Sequence, residues 1–328
     1  MEDNLSGKKI LITGGLGFIG SNLAIRLVSL GAKVTILDSL NPLYGGNLFN
    51  IRDIKDKVEI IVDDIRNKEI VNEAVKGKDI IFDFAAQIRH TDSINMPFED
   101  LEVNCGGRLN ILEACRNFNR DVKIAFSSSR MVYGRAEKEV IDENHPTNPL
   151  GLYGIHKLAA EKYFLTYFND FGIRSTVLRI SNPYGERQQI KHGKYSIPGF
   201  FMRLVMEGQN IKIFGDGMQL RDYIYISDLV DAFVFVATSE KTNGEIYNCA
   251  FGRFSHFKDM AEEIIKVVGK GKIEYTPWPE EYRLVETGDS EMDIAKLTKV
   301  SGFAPKVGLE EGIKKTFEYF SKYKENYI

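Results

Sequence analysis

The chain has 328 residues, 43% of them hydrophobic and 27% charged, with a formal net charge of −3. That composition suits a globular protein of one large or two modest domains, and it leaves no polybasic surface for nucleic acid or an anionic membrane. The opening MEDNLSGKK lacks the apolar core of a signal peptide, and no run reaches the ~18 apolar residues of a bilayer span, so a cytoplasmic protein is expected. Cys105, Cys115 and Cys249 are odd in number and widely spaced, which predicts buried thiols and no disulfide framework. His90, His145, His156, His192 and His256 show no ligand spacing, and no metal site is expected.

Residues 10–12 are apolar and partly β-branched, Gly14, Gly17 and Gly20 follow at three-residue spacing, and Leu23, Leu27 and Leu30 recur at helical spacing. The pattern predicts strand, tight turn and helix. Glycine lets a backbone come close to a pyrophosphate, and a helix N-terminus turns unpaired N–H groups and its dipole toward negative charge. A second strand over 33–37 ends in Asp38, placed to accept hydrogen bonds from an adenosine ribose and to disfavour a 2′-phosphate. The expected cofactor is therefore NAD. A glycine triplet alone is common in turns; the strand, the helix and the acid about twenty residues on make this one specific.

Further along, a strand over 58–62 ends in Asp63 and Asp64, and one over 80–84 closes in Ala85 and Ala86. Pro97 opens a helical stretch in which Leu101, Cys105, Leu109, Leu112 and Cys115 share a face, running to Phe118. A fifth strand over 123–126 carries Ser127, Ser128 and Ser129 at its carboxyl end, a long helix covers 153–171, and a sixth strand covers 175–179. Strands alternating with helices predict an α/β protein with a Rossmann-type doubly wound parallel sheet. Beyond 179, Pro183, Gly185, Gly193, Pro198 and Gly199 interrupt the alternation. Strands are predicted over 211–214, 245–250 and 273–276, helices over 228–238, 257–268 and 309–323, and GDGMQLRDY reads as a loop. The expected division is a nucleotide-binding domain over 1–180, with segments at about 222–250 returning to it, and a smaller α/β substrate lobe over 181–328.

Tyr153 and Lys157 project from one helix face, about 6 Å apart along the axis, with Ser129 on a strand end. A free tyrosine has a pKa near ~10, and lowering it by ~3 units needs about 4 kcal/mol. One ammonium ~5 Å away supplies roughly 3 kcal/mol at an effective dielectric of 20, and the positive ring of an oxidised nicotinamide the rest. A serine hydroxyl beside the same substrate oxygen completes a proton path. The bland alternative is a solvated pair on a helix that also carries Tyr163 and Tyr167.

The segments TGGLGFIG, LDSL, DDIRN, FDFAAQ, FSSSRMVYG, YGIHK, RISNPYGERQ and IFGDGMQLRDYIYISDL resemble, as a set, the extended short-chain dehydrogenase/reductase superfamily in its nucleotide-sugar epimerase/dehydratase branch. The resemblance implies that Gly14, Gly17, Phe18, Ile19 and Gly20 hold the pyrophosphate, Asp38 the ribose, and Asp64 with Ile65 the adenine. It implies further that Ala85, Ala86, Gln87 and Asn104 line the cofactor, that Lys157 binds the nicotinamide ribose, and that Ser129 and Tyr153 are the catalytic pair. Asn182 and Arg221 match positions on the sugar diphosphate. In 4,6-dehydratases of the branch an Asp-Glu pair follows the catalytic hydroxyl residue, and in oxidative decarboxylases a Glu; this chain has Arg130 and Met131, which argues against both reactions and leaves Arg130 either a substrate contact or an exposed structural arginine. Where the family often has Arg-Pro-Gly-Asp, this chain has ETGD, so Glu286 stands at the Arg position and Arg283 is the candidate replacement.

The resemblance implies NAD-dependent epimerisation of a nucleotide-diphosphate sugar, foremost at C4 of a UDP-hexose. Alternatives on the same residues are a 4-ketoreductase or a 2-epimerase, and, less favoured, a 4,6-dehydratase or a non-catalytic NAD-sensing protein. A homodimer is implied through the helices over 101–118 and 153–171, with Phe164, Tyr167 and Phe168 as contributors.

Overall fold

The computed structural model describes residues 5–41, 44–88, 90–193, 197–280, 286–289 and 291–328, the side chains of 90–92 excepted. In chain order β1 (Lys9–Thr13), α1 (Phe18–Ser29), β2 (Lys33–Asp38), β3 (Val58–Val62), α2 (Lys68–Val75), β4 (Ile80–Asp83), α3 (His90–Asn95), α4 (Pro97–Leu101), α5 (Gly107–Phe118), β5 (Lys123–Ser129), β6 (Val140–Ile141), α6 (Leu152–Phe171) and β7 (Arg174–Ile180) come first. They are followed by β8 (Asn182–Tyr184), α7 (Ile197–Met206), β9 (Ile211–Phe214), β10 (Leu220–Tyr225), α8 (Ile226–Thr238), β11 (Glu245–Cys249), β12 (Phe254–His256), α9 (Phe257–Val268), β13 (Ile273–Thr276), β14 (Glu291–Met292), α10 (Ala295–Ser301) and α11 (Leu309–Tyr323).

The central sheet has seven strands in the order β3-β2-β1-β4-β5-β7-β11, and every pairing in it is parallel. Chain order reverses between β1 and β4, which opens a crevice at the carboxyl ends of these two strands. This is the doubly wound sheet expected from the alternation of strands and helices. Side chains alternate across it. Ile10 and Ile12 of β1 pack in one layer with Leu23 and Leu27 of α1 and Leu229 and Phe233 of α8, while Leu11 packs in the other with Val71 of α2, Ile111 and Leu112 of α5 and Phe164 of α6. The three cysteines are buried thiols.

Several elements differ from the sequence expectation. The helix expected from Pro97 to Phe118 is present but passes through a π-helical turn, Glu102–Gly106, between α4 and α5. A Cβ on Gly107 would sit 2.3 Å from the Ile65 side chain, so glycine lets the chain leave that turn against the loop after β3. The stretch read as the loop GDGMQLRDY enters β10, which pairs with β8 and β12. Its Asp222 explains why a polar sequence forms a strand there. The carboxylate accepts from the Phe251 and Gly252 amides, both at 2.7 Å, and from the Ser181 hydroxyl at 3.2 Å, and burial pushes it up to about 6. Helix α7 was hidden by Pro198 and Gly199, yet a proline in a first turn forfeits no helical bond. Phe164 is fully buried and stacks on Phe126 at 4.6 Å, so it belongs to the core and contributes to no interface. Among the described residues no helix is long and apolar enough to cross a membrane.

Candidate active site

A cavity of about 860 Å³ runs from the switch point across to the segments after β7. At one end lie Gly14, Gly17, Phe18, Ile19 and Gly20. Gly14 has a φ of +69°, and a Cβ on Gly20 would come within 2.3 Å of the Gly14 carbonyl oxygen, so the turn closes only with glycine at both places. Helix α1 starts from Gly17 with no side-chain cap and no acid in its first turn, which leaves its amino end suited to an anion. The Asp38 carboxylate, at the end of β2, accepts from the Leu16 and Leu40 amides, each at 2.9 Å. Burial raises its pKa while those amides oppose the shift. Asp64, Ile65, Ala85 and Ala86 continue the lining. Burial disfavours charge on Asp64, but Arg66, bonded to it through its amide and guanidinium, holds it below the usual carboxylate range. Gln87 and Asn104 lie behind this wall: both are fully buried, outside the lining, with Asn104 Nδ2 donating to the Gln87 carbonyl at 2.9 Å and to Asp100.

In the middle of the cavity stand Ser129, Tyr153 and Lys157. β5 extends through all three serines, so Ser129 is its last residue. Tyr153 lies in the first turn of α6, and a Cβ on the next residue, Gly154, would meet the Met131 carbonyl at 2.7 Å. That glycine lets α6 press on the chain after β5 and brings Tyr153 into a side-chain hydrogen bond with Ser129. Lys157 Nζ donates to the Ser127 carbonyl at 2.9 Å and lies 5.8 Å from the centre of the Tyr153 ring. The spacing thus places the ammonium beside the phenol, and in the protein without a cofactor two opposite shifts follow from burial. Burial, with the Asp100 charge next, pushes the Tyr153 phenol up to about 12, against the Ser129 hydrogen bond and Arg108. Burial and the like charge of Arg108 push Lys157 down to about 7. In the protein by itself, burial thus decides the direction of both shifts.

Buried charges that sequence reasoning passed over support this centre. Arg108 sits 3.3 Å from Asp83, both fully buried, and it donates to the Val103 and Ala85 carbonyls, bracing the backbone that faces the cavity. His156 Nδ1 lies 2.9 Å from the buried Asp100. An acid within the apolar run FDFAA was the one available signal for Asp83.

The far end of the cavity is lined by Asn182, Arg130, Arg221, Glu286 and Thr287, with Phe214 and Trp278, whose ring centres are 5.7 Å apart. Asn182 Nδ2 donates to the Asp222 carbonyl at 2.8 Å. Arg221 pairs with Glu286 at 2.5 Å, so the acid found at the family's Arg position neutralises a neighbouring guanidinium. Arg283 lies outside the described residues.

A parallel sheet with its cavity at the switch point, a glycine turn at one end and a phenol, hydroxyl and ammonium in the middle defines an enzyme of the Rossmann type. The chain belongs to the NAD dependent epimerase/dehydratase family, whose model matches residues 10–250, and is thus an NAD-dependent enzyme. It is 35% identical to a putative UDP-glucose 4-epimerase of Methanocaldococcus jannaschii, over 94% of this chain and 97% of that one. It is similar to the crystal structure of UDP-glucose 4-epimerase with UDP-glucose from Thermotoga maritima, with a TM-score of 0.87, 31% identity and coverage of 96% and 99%. It is also similar to the Thermus thermophilus UDP-glucose 4-epimerase complex with NAD, with a TM-score of 0.85, 31% identity and coverage of 95% and 99%.

Proposed function

We propose that the protein epimerises a nucleotide-diphosphate sugar at C4 of a UDP-hexose, keeping its NAD through the cycle. One juxtaposition carries the reading: Tyr153, bonded to Ser129 with Lys157 beside it, stands in a single cavity between the glycine turn with Asp38 and the polar end with Asn182 and Arg221. The full-length similarity to proteins named UDP-glucose 4-epimerase supports it. In this reading the residue 14–20 turn holds the pyrophosphate, Asp38 the ribose, Asp64 and Ile65 the adenine, and Lys157 the nicotinamide ribose. Ala85 and Ala86 give the flat wall, and Gln87 and Asn104 fix it from behind. When bound, NAD supplies a hydride acceptor and a positive ring next to the phenol. Tyr153 takes the proton of the sugar hydroxyl and later returns it, Ser129 orients that oxygen, and Lys157 favours the phenolate. Asn182 and Arg221 hold the diphosphate, so that binding energy remote from the reacting carbon retains the transient 4-keto sugar while its ring turns over. Arg130 and Met131 after Ser129 provide no acid-base pair for a 4,6-elimination.

The test is incubation without added cofactor with UDP-glucose, UDP-galactose, their N-acetyl forms and UDP-glucuronate, with products resolved by NMR. A C4 epimer is expected from at least one of them. Conversion of none would overturn the C4 reading, and turnover only of keto sugar nucleotides with added NADH or NADPH would make the enzyme a reductase.

The same reading includes a homodimer. α3, α4 and α6 pack together, and they carry Phe98, which is 77% exposed, with Ile94, Leu101 and Ile155 also exposed. A patch of this kind is costly to leave in water. Phe98→Glu combined with Ile155→Glu is expected to give the single-chain mass by light scattering at micromolar concentration, where the parent chain gives twice that mass. A single-chain mass for the parent would reject the dimer.

A further inference from the structure

Arg130 follows Ser129 directly, and the turn it opens is capped by the Ser129 hydroxyl, which accepts from the Met131 amide at 3.3 Å. The Arg130 side chain lines the cavity, and its Nη1 donates to the Thr287 hydroxyl at 2.8 Å, so the guanidinium reaches from the end of β5 to the 286–289 segment. The same segment holds the second guanidinium of the cavity: Arg221 donates to the Gly288 carbonyl at 2.9 Å and pairs with Glu286. Burial, and after it the charge of Arg221, pushes Arg130 down to about 10. Two cations are thus brought to one polar end from opposite walls, and one of them begins at the residue next to the hydroxyl that bonds Tyr153.

Asn182 and Arg221 are assigned to the diphosphate, whereas Arg130 begins at the residue next to Ser129, where the sugar reacts and where a neutral hexose offers only hydroxyls. A carboxylate takes both prongs of the fork through charge-assisted bonds. We propose that Arg130 is a specificity-determining residue that binds a carboxylate carried by the sugar, so that the substrate is a nucleotide-activated acidic hexose. This rests on the epimerase reading for the identity of the reacting sugar. The diphosphate is the other oxyanion within reach of Arg130, and the experiment separates the two.

Binding of UDP-glucuronate and of UDP-glucose to the NAD-loaded enzyme is measured by calorimetry in the parent chain, R130Q and R130K. The acidic ligand is expected to bind the parent at least tenfold more tightly. R130Q is expected to lower the ratio of the two affinities by about tenfold to a hundredfold, and R130K, which keeps the charge but loses the fork, by less. If R130Q weakens both ligands by the same factor, the guanidinium lies on the diphosphate and the proposal fails. It fails also if the parent shows no preference for the acid. Binding is read without turnover, so an enzyme that prefers the acid through Arg130 yet epimerises nothing would overturn the reaction and leave this assignment standing.

Discussion

Tyr153→Phe is expected to lower kcat for epimerisation by about three orders of magnitude, roughly 4 kcal/mol in the barrier, because the hydroxyl proton then has no acceptor at the reacting carbon. The ring stays where it is packed, so NAD content and the thermal transition are expected to match those of the parent chain. Burial makes the prediction sharper. A phenol pushed up to about 12 stays protonated at neutral pH until a positive charge arrives beside it, so Tyr153 depends on both Lys157 and the bound cofactor. Progress curves followed by NMR, with NAD quantified by absorbance after denaturation, check both halves. Retention of a tenth or more of the parent rate would remove Tyr153 from the role of base.

Glu161→Ala is expected to cost about 3–5 kcal/mol of stability, since it strands a buried guanidinium. Arg179 Nη2 lies 2.7 Å and Nε 2.9 Å from the Glu161 carboxylate, and both side chains are buried. Burial works against the Arg179 charge, and Glu161 outweighs it. The Ser128 hydroxyl also donates to Glu161. The pair therefore ties β7 to α6 one turn beyond Lys157, the Ser128 bond adds β5 beside Ser129, and loss of Glu161 loosens the frame of the site together with the fold. Replacing both partners, Glu161→Leu with Arg179→Met, is expected to cost less than the single change, because no charge is then left unpaired. Denaturant midpoints of the three variants measure this. A loss under about 1 kcal/mol for Glu161→Ala would mean that water reaches Arg179.

What the sequence made legible was local. The glycine turn, the acid after β2 and the Tyr153–Lys157 spacing each follow from a few consecutive residues, because strand and helix geometry fix where those side chains go. The boundary of α5 was not legible, since Leu101, Cys105 and Leu109 keep a helical period through a π-helical turn. Nor were pairings distant in sequence. The departure at Glu286 reads as a missing arginine until β10 brings Arg221 to it, and the Tyr327 hydroxyl donates to Asn50 across 277 residues. The upward shift of Tyr153 in the protein alone was not legible for a related reason. Spacing gives the distance to the ammonium, whereas burial, which decides the direction, is set by the whole fold.

The measurement that most directly tests the account is conversion of a UDP-hexose in D2O with no cofactor added. If Tyr153 moves only the hydroxyl proton and hydride returns to the carbon it left, the C4 epimer forms with protium at C4. Deuterium at that carbon, or an epimer that forms only when NADH or NADPH is supplied, would contradict it.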